Sequence, residues 1–225
     1  MKHYKLLGLL TALNITFQLV SDVTAGKIIE LFIFPVSVTV LYFPFVYIIS
    51  DVMTEVYGYA RARLVTWLTL ISSVIAGLIY LAVAYLPSPE FFGASEAYAT
   101  VFGIVPRVLV GGWIAVFAGD ILNNYVLAKM KVWTKGRHLW TRTIGSTIFG
   151  QGANTVLFYV IALSGILPTN VLVASILSAW LLKIAVEAIF TPVTYYVVRK
   201  VKQIESEDHY DTDTDFNPLS FKVKD

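Results

Sequence analysis

The stretch LVTWLTLISSVIAGLIYLAVAYL, residues 64–86, contains no charged side chain. A helix needs about 20 mainly apolar residues to cross the roughly 30 Å hydrocarbon core of a bilayer. Five further runs of this kind lie at residues 6–25, 29–49, 104–127, 143–166 and 171–198. Because lipid offers the backbone no hydrogen-bond partner, each run is expected to be helical. The sequence therefore predicts an all-α integral membrane protein, a bundle of six transmembrane helices.

The composition excludes several other classes of protein. Of the 225 residues, 57% are hydrophobic and only 14% are charged, whereas soluble domains contain about 25% charged residues. The net charge of +2 says little about partners, but the clusters of lysine and arginine lie at the ends of apolar runs, where membrane topology explains them better than nucleic-acid binding. The chain has no cysteine, and its three histidines are scattered outside the spans, so neither a metal site nor a cofactor is predicted.

The basic residues indicate the orientation of the bundle. With six crossings, fourteen of the seventeen lysines and arginines fall on one side. Short cytoplasmic loops are enriched in such residues, so both termini are predicted to lie in the cytoplasm. Residues 1–204 form the predicted transmembrane domain. Residues 205–225 form a polar, acidic cytoplasmic tail, whose composition is compatible with disorder.

Polar side chains within the spans are costly and commonly functional. In the first span, Asn14, Gln18 and Asp22 recur every four residues, so they share one helical face. This stripe either lines a polar cavity or makes interhelical hydrogen bonds. In the last span, Lys183 and Glu187 lie one turn apart and can neutralise each other. Such a pair is either structural or part of substrate or proton handling.

The fourth and fifth spans carry further polar groups, which either bind a solute or clamp neighbouring helices together. These groups are Asp120, Asn123, Asn124, Thr147, Gln151 and Asn154. A ridge of small residues, Gly111, Ala115 and Gly119, allows another helix to approach closely and is compatible with a homodimer.

The second span and the segment after it break the pattern. Pro35 and Pro44 interrupt the run at residues 29–49, and the carbonyls that they free face a cavity or accommodate a kink. Residues 51–63, DVMTEVYGYARAR, read as a cytoplasmic connection in which two carboxylates lie four residues apart. Carboxylates with a nearby tyrosine suit the edge and face of a purine ring. The alternative is pairing with Arg61 or Arg63 across a turn.

The same segment resembles the signature of the queuosine precursor transporter family, also called the vitamin-uptake-transporter family. Further resemblances follow along the chain at residues 106–107, 135–137, 139–147, 183 with 187, and 205–218. Two positions depart from the family pattern: Leu219 replaces an expected aromatic residue, and Asn154 stands where an aspartate is frequent. The second departure matters because asparagine cannot carry a titrating proton.

The resemblance implies a transporter and not an enzyme. The implied substrate is 7-cyano-7-deazaguanine, with 7-aminomethyl-7-deazaguanine as a second candidate, imported across the inner membrane of a bacterium. The main hypothesis is a secondary carrier with a midplane site, for which a proton is the candidate coupling ion. The alternative is a substrate-binding subunit energised by a separate ATP-driven module, because the chain lacks a phosphate-binding loop of its own.

We expect Asp51, Glu55 and Tyr57 to form the cytoplasmic end or gate of the substrate site. Glu187 and Asp51 are the carboxylates expected to handle substrate or a proton. The full set of candidate substrate-binding residues is Asn14, Gln18, Asp22, Asp51, Glu55, Tyr57, Arg107, Asn123, Gln151, Asn154, Lys183 and Glu187.

Overall fold

The structure is a computed structural model that describes residues 4–25, 27–31, 34–103 and 106–223. Helix α1, Leu7–Thr24, is followed by an antiparallel hairpin of β1, Ile28–Leu31, and β2, Phe34–Ser37. A 3₁₀ turn, Val38–Leu41, leads into α2, Phe43–Tyr57.

The second half of the fold is helical. It contains α3, Tyr59–Tyr85; a short α4, Ser95–Phe102; and α5, Pro106–Trp133. Helix α6, Leu139–Phe158, continues into a π-helical turn, Tyr159–Leu163, and α7 spans Thr169–Glu205. Five helices, α1, α3, α5, α6 and α7, lie in segments long and apolar enough to cross a membrane. The protein is therefore a multi-pass helical membrane protein.

The predicted second span at residues 29–49 is wrong as a single helix. Its first part forms the hairpin and the 3₁₀ turn, and α2 begins only at Phe43. Proline lacks an N–H and therefore breaks a helix interior but is tolerated in its first turn. Accordingly, Pro35 lies in β2, whereas Pro44 lies in the first turn of α2.

The predicted connection at residues 51–63 is also wrong. Asp51, Glu55 and Tyr57 all lie in α2, and Gly58 alone joins α2 to α3. Gly58 has φ +85°, a conformation that glycine adopts without strain. The imidazole of His209 packs where a side chain at this position would lie. The chain therefore reverses direction at one residue, and both carboxylates lie in the bundle.

Six helix ends meet at one end of the bundle, which we call the tail end. Glu205, at the end of α7, accepts hydrogen bonds from Leu6 N at 2.6 Å and Tyr57 Oη at 2.8 Å. Glu55 of α2 binds Arg142 near the start of α6 at 2.8 Å and lies 3.6 Å from Lys131 near the end of α5. The start of α1 and the described part of the C-terminal tail therefore lie at the same end.

Helix α2 is the most enclosed helix of the bundle. Val52, Val56 and Tyr57 are completely buried in an apolar cluster with α1, α3, α6 and α7. In contrast, large apolar side chains on α3 and α7, such as Leu78 and Ile189, are mostly exposed. Such exposed positions suit lipid, whereas polar groups on α2 face protein.

The small-residue ridge of α5 packs against α6. A Cβ atom added at Gly119 would lie 2.7 Å from Asn154 Cβ and 2.9 Å from Gly150 O. A Cβ atom at Gly150 would lie 2.6 Å from Asn123 Cβ. The close helix approach predicted from the ridge is therefore confirmed. Its partner is α6 of the same chain, so a homodimer would use another surface.

We predict that Gly119→Leu lowers the free energy of unfolding by about 1–3 kcal/mol, because overpacking separates α5 from α6. Gly112→Leu is the matched control on the same helix, since a Cβ atom there meets nothing within 4 Å. Thermal unfolding of both variants in mild detergent tests this expectation. Equal unfolding temperatures for the two variants would contradict this packing of α5 on α6.

Candidate functional site

Three polar side chains on α2 lie at intervals of four residues, Tyr47, Asp51 and Glu55. This spacing places them along one face of the helix. Tyr47 is only 8% exposed, and the two carboxylates are 2% and 0% exposed. The two carboxylates lie one turn apart. Glu55 binds cations from neighbouring helices, whereas Asp51 accepts a hydrogen bond from Asn123.

Asp51 and Glu187 form the centre of the candidate site. Asp51 Oδ1 accepts a hydrogen bond of 3.3 Å from Asn123 Nδ2. Asp51 Oδ2 and Glu187 Oε1 are buried and have no hydrogen-bond partner among the described residues. The two carboxyl groups lie close enough to interact electrostatically across the α2–α7 contact. Because buried polar atoms are normally hydrogen-bonded, this pair is suited to a ligand that donates hydrogen bonds.

Lys183 lies beside this pair but makes its described hydrogen bonds with α6. Its Nζ atom donates to Gln151 Oε1 and Asn154 Oδ1, both at 3.0 Å, and to Thr155 Oγ1 at 3.3 Å. These contacts are with α6, and the Lys183–Glu187 neutralisation expected from the sequence stays a prediction. Asn154 cannot titrate, but its side-chain oxygen accepts a hydrogen bond from the Lys183 ammonium.

Two residues missing from the predicted set lie within electrostatic range of the central residues. The charge of Asp120 on α5 acts on Lys183. The buried Tyr47 interacts electrostatically with both Glu187 and Asp120. The spacing of Tyr47 from Asp51 is visible in the sequence, but it becomes informative only once both are known to lie in one helix.

Asn124 has a different role from its neighbour Asn123. Its Oδ1 atom accepts hydrogen bonds from Thr54 at 2.9 Å and Ser50 at 3.4 Å, and its Nδ2 atom donates to Thr66 at 3.3 Å. Asn124 therefore joins α5 to α2 and α3 and has its partners already.

Glu55 is the buried centre of a charge cluster, which we define as Glu55, Lys131, Arg142, Lys202 and Asp208. Arg142 binds Glu55 through two hydrogen bonds, of 2.8 and 3.2 Å. Lys202 Nζ lies 2.8 Å from Glu55 Oε1. Two hydrogen bonds between a guanidinium and a carboxylate fix both groups in orientation. The expected alternative pairing of Glu55 with Arg61 or Arg63 is replaced by these partners from distant helices.

The tail contributes Asp208 to this cluster. Its Oδ1 atom lies 2.5 Å from Lys131 Nζ and 2.8 Å from Lys202 Nζ. Burial raises the pKa of Asp208, but hydrogen bonds from Lys131 and Lys202 outweigh it, so the pKa lies below its ordinary value. The Asp208 carboxylate therefore stabilises the folded tail at neutral pH. That contribution is lost as the pH falls through the lowered pKa.

Other predicted residues lie away from the Asp51–Glu187 pair. Asn14 donates to Thr69 at 3.0 Å, Gln18 donates to Asp22 at 2.7 Å, and Ser73 donates to Asp22. This stripe therefore forms a polar contact between α1 and α3, the packing alternative considered for it.

Arg107 and Tyr57 lie at opposite ends of the bundle. Arg107 is exposed and donates to the carbonyls of Ile161 at 2.5 Å and Ser164 at 2.8 Å. It thereby binds the carbonyls at the end of the π-helical turn. Tyr57 binds Glu205 at the tail end and packs edge-on against Tyr4. Of the predicted set, Asp51, Asn123, Gln151, Asn154, Lys183 and Glu187 form the central group.

We predict that Glu55→Gln lowers the free energy of unfolding by about 3–5 kcal/mol, because it leaves buried cations without their shared anion. Glu96→Gln, on the exposed α4, is the matched control and should change stability little. Chemical denaturation in mild detergent measures both. A Glu55→Gln protein as stable as the control would mean that the cluster contributes no net stability.

Comparison with known proteins places the chain in a family. A family model described as "Putative vitamin uptake transporter" matches residues 37–197. A "Probable queuosine precursor transporter" of Bacillus subtilis (strain 168) is 28% identical over 180 residues, which cover 80% of this chain and 79% of the relative.

Two further relatives have similar names. The "Queuosine precursor transporter" of Escherichia coli (strain K12) is 27% identical over 120 residues, 53% of this chain and 52% of the relative. A "Probable queuosine precursor transporter" of Haemophilus influenzae is 24% identical over 152 residues, 66% of this chain and 61% of the relative. No solved structure matches the chain significantly. Because the matched residues 37–197 make up most of the sequence, the chain belongs to the vitamin-uptake-transporter family, a family of membrane transporters and not of enzymes.

Proposed function

We propose that this protein is a secondary carrier that imports 7-cyano-7-deazaguanine, and also 7-aminomethyl-7-deazaguanine, across the inner membrane of a bacterium. The names of its relatives support a queuosine precursor as the transported solute. The observation that carries the proposal is the pair of buried carboxylate oxygens, Asp51 Oδ2 and Glu187 Oε1, that lack hydrogen-bond partners among the described residues.

The chemistry of the solute matches this pair. A 7-deazaguanine presents a ring N–H and an exocyclic amine side by side, next to a carbonyl. A carboxylate accepts two such N–H bonds, whereas amides and ammonium groups donate to a carbonyl. Asp51 and Glu187 would accept from the donor edge, while the side-chain nitrogen of Gln151, whose oxygen already accepts from Lys183, would donate to the carbonyl. Tyr47 would offer its ring to the base.

We infer six crossings, with both termini in the cytoplasm. Helix α2 has 15 residues and is about 22 Å long, so it would complete the sixth crossing together with the hairpin before it. Helix ends alternate between the two ends of the bundle, and the tail end collects Lys131, Arg142 and Lys202. The positive-inside bias supports a cytoplasmic tail end.

We infer a proton as the coupling ion. Two carboxylates that repel each other in a buried site release electrostatic strain when one binds a proton. A donor-bearing solute relieves the same repulsion, so proton and solute occupancy of the pair are energetically linked. Such a carrier needs no nucleotide site, whereas the ATP-driven alternative would carry its nucleotide site on a separate module, so uptake without ATP distinguishes the two.

We predict that the purified protein in liposomes takes up labelled 7-cyano-7-deazaguanine without ATP. An inwardly directed proton gradient should raise the accumulated amount above the equilibrium level, and a protonophore should abolish the excess. Equilibration of the solute to the same level with and without the proton gradient would indicate facilitated diffusion. No uptake by correctly folded protein would favour a separate ATP-driven partner or a different solute.

We predict that Glu187→Gln reduces uptake to the level of empty liposomes, because the amide replaces one acceptor with a donor and cannot bind a proton. Glu90→Gln, in the exposed connection before α4, is the control and should transport normally. Membrane insertion and thermal unfolding of the two variants should match the wild type. Normal uptake by Glu187→Gln would remove Glu187 from the mechanism.

A further inference from the structure

The C-terminal tail forms a strap, defined as residues 206–223, that runs across the ends of α2, α3 and α5. His209 N donates to Val56 O at 3.2 Å. The Asp211 carboxylate accepts from Tyr59 N, with both oxygens at 3.1 Å. Asp211 thereby satisfies the first N–H group of α3, because the preceding residue, Gly58, has no side chain to cap the helix.

The strap also supplies partners to two buried cations of the bundle. Arg63 is 1% exposed and donates to three strap carbonyls, those of Asp215 at 2.7 Å and of Asn217 and Lys222 at 2.8 Å. Lys131 Nζ is equally buried and donates to Glu55 O, Asp208 Oδ1 and His209 O. Two of these three Lys131 acceptors belong to the strap.

Aromatic contacts hold the far half of the strap. Phe216 packs against Tyr59 and Tyr125, with ring centroids 4.9 and 5.2 Å away. Lys129 Nζ lies 3.9 Å above the Phe216 ring. Trp67 Nε1 donates to Pro218 O at 2.9 Å. The strap is therefore a packed element of the bundle and contacts it along its length.

These contacts link release of the strap to the entry of water at the tail end of the bundle. Without the strap, Arg63, Lys131 and the first N–H of α3 would lose acceptors in a buried region, where unpaired polar groups are strongly disfavoured. Water can replace carbonyl and carboxylate acceptors, but only if it reaches the tail end of the bundle. Strap release and hydration of that end are therefore one transition with two discrete states.

Along α2, the strap lies on the tail-end side of the candidate site. Glu55, one turn nearer the tail end than Asp51, binds Arg142 and Lys202. The strap residue Asp208 binds Lys131 and Lys202 of the same cluster. A groove of about 470 Å³, lined in part by Lys202 and Asp208, already opens beside the cluster. A solute moving from Asp51 towards the tail end meets the cluster and then the strap.

We propose that the strap is the gate at the tail end of the substrate path. It closes the path in this structure, and its release, with hydration of the charge cluster, opens the site to that side. The gate rests on the proposed transport function. Ser206, with φ +51°, ends α7 at the point where the strap begins and is the hinge about which it moves.

The absence of cysteine in the sequence allows a direct test. The variant Lys129→Cys with Phe216→Cys places one thiol on α5 and one on the strap, at partly exposed positions that face each other. A short bismaleimide then ties the strap down. The controls are the untreated double variant and the two single-cysteine variants treated with the same reagent.

Cross-linking should reduce uptake of 7-cyano-7-deazaguanine by about tenfold or more, because a lid that cannot open blocks release. Equilibrium binding of the same solute should stay within about twofold, since the site itself is unchanged. Uptake by the untreated double variant is the reference for this reduction, and the reagent should leave uptake by each of the two single-cysteine variants unchanged. Undiminished uptake by the cross-linked protein would overturn the gate.

If the wild type takes up and binds no deazapurine, the proposed function fails, and hydrogen exchange then decides the gate separately. In lipid, the strap amides and the amides of residues 56–59 should exchange together, and cross-linking should slow both. Exchange of the strap while residues 56–59 stay protected would show a tail that detaches without opening the bundle, and would overturn the gate.

Discussion

The buried carboxylate of Glu55 is the interaction on which the tail end of this protein depends. It joins Arg142 of α6, Lys202 of α7 and Lys131 of α5 to α2. Lipid provides no hydrophobic drive for helices to associate, so packing and polar contacts between them carry much of the specificity. A buried charge without its partners is strongly disfavoured. The four helices must therefore meet in one arrangement, and the tail completes it through Asp208.

Helix α2 then explains how one face serves two purposes. Glu55 lies against the cations of Lys131, Arg142 and Lys202. Asp51, one turn away, has an oxygen without a hydrogen-bond partner among the described residues. The difference lies in the neighbouring helices, since α7 presents another carboxylate, Glu187, to Asp51. The hairpin before α2 is irregular for a membrane protein. In the six crossings proposed above, the hairpin would lie at membrane depth, where non-helical backbone needs protein or water around it.

The contacts of the strap suit an element that must both close and open. Carbonyls of the strap accept from Arg63 and Lys131, and water can take over either role. A purely apolar seal would instead resist hydration, because exposing apolar surface is unfavourable whether or not the path is needed. Polar contacts give a closed state that is specific and an open state that is accessible. The aromatic packing of Phe216 on Tyr59 fixes the register of the closed state.

The sequence by itself determined the membrane class, the family and five of the six predicted spans, because apolar length and motif order are properties of consecutive residues. It also identified Asp51, Asn123, Lys183 and Glu187 as residues of interest. It misassigned the second span and the connection after it, where Pro35, Pro44 and Gly58 decided between helix, hairpin and reversal through their backbone geometry.

Only the tertiary structure decided which polar groups meet. Helical spacing places Asn14, Gln18 and Asp22 on one face, but it cannot tell that α3 covers that face. Likewise, Glu55 and Arg142 are 87 residues apart, and their pairing follows from the packing of whole helices, which no local pattern records.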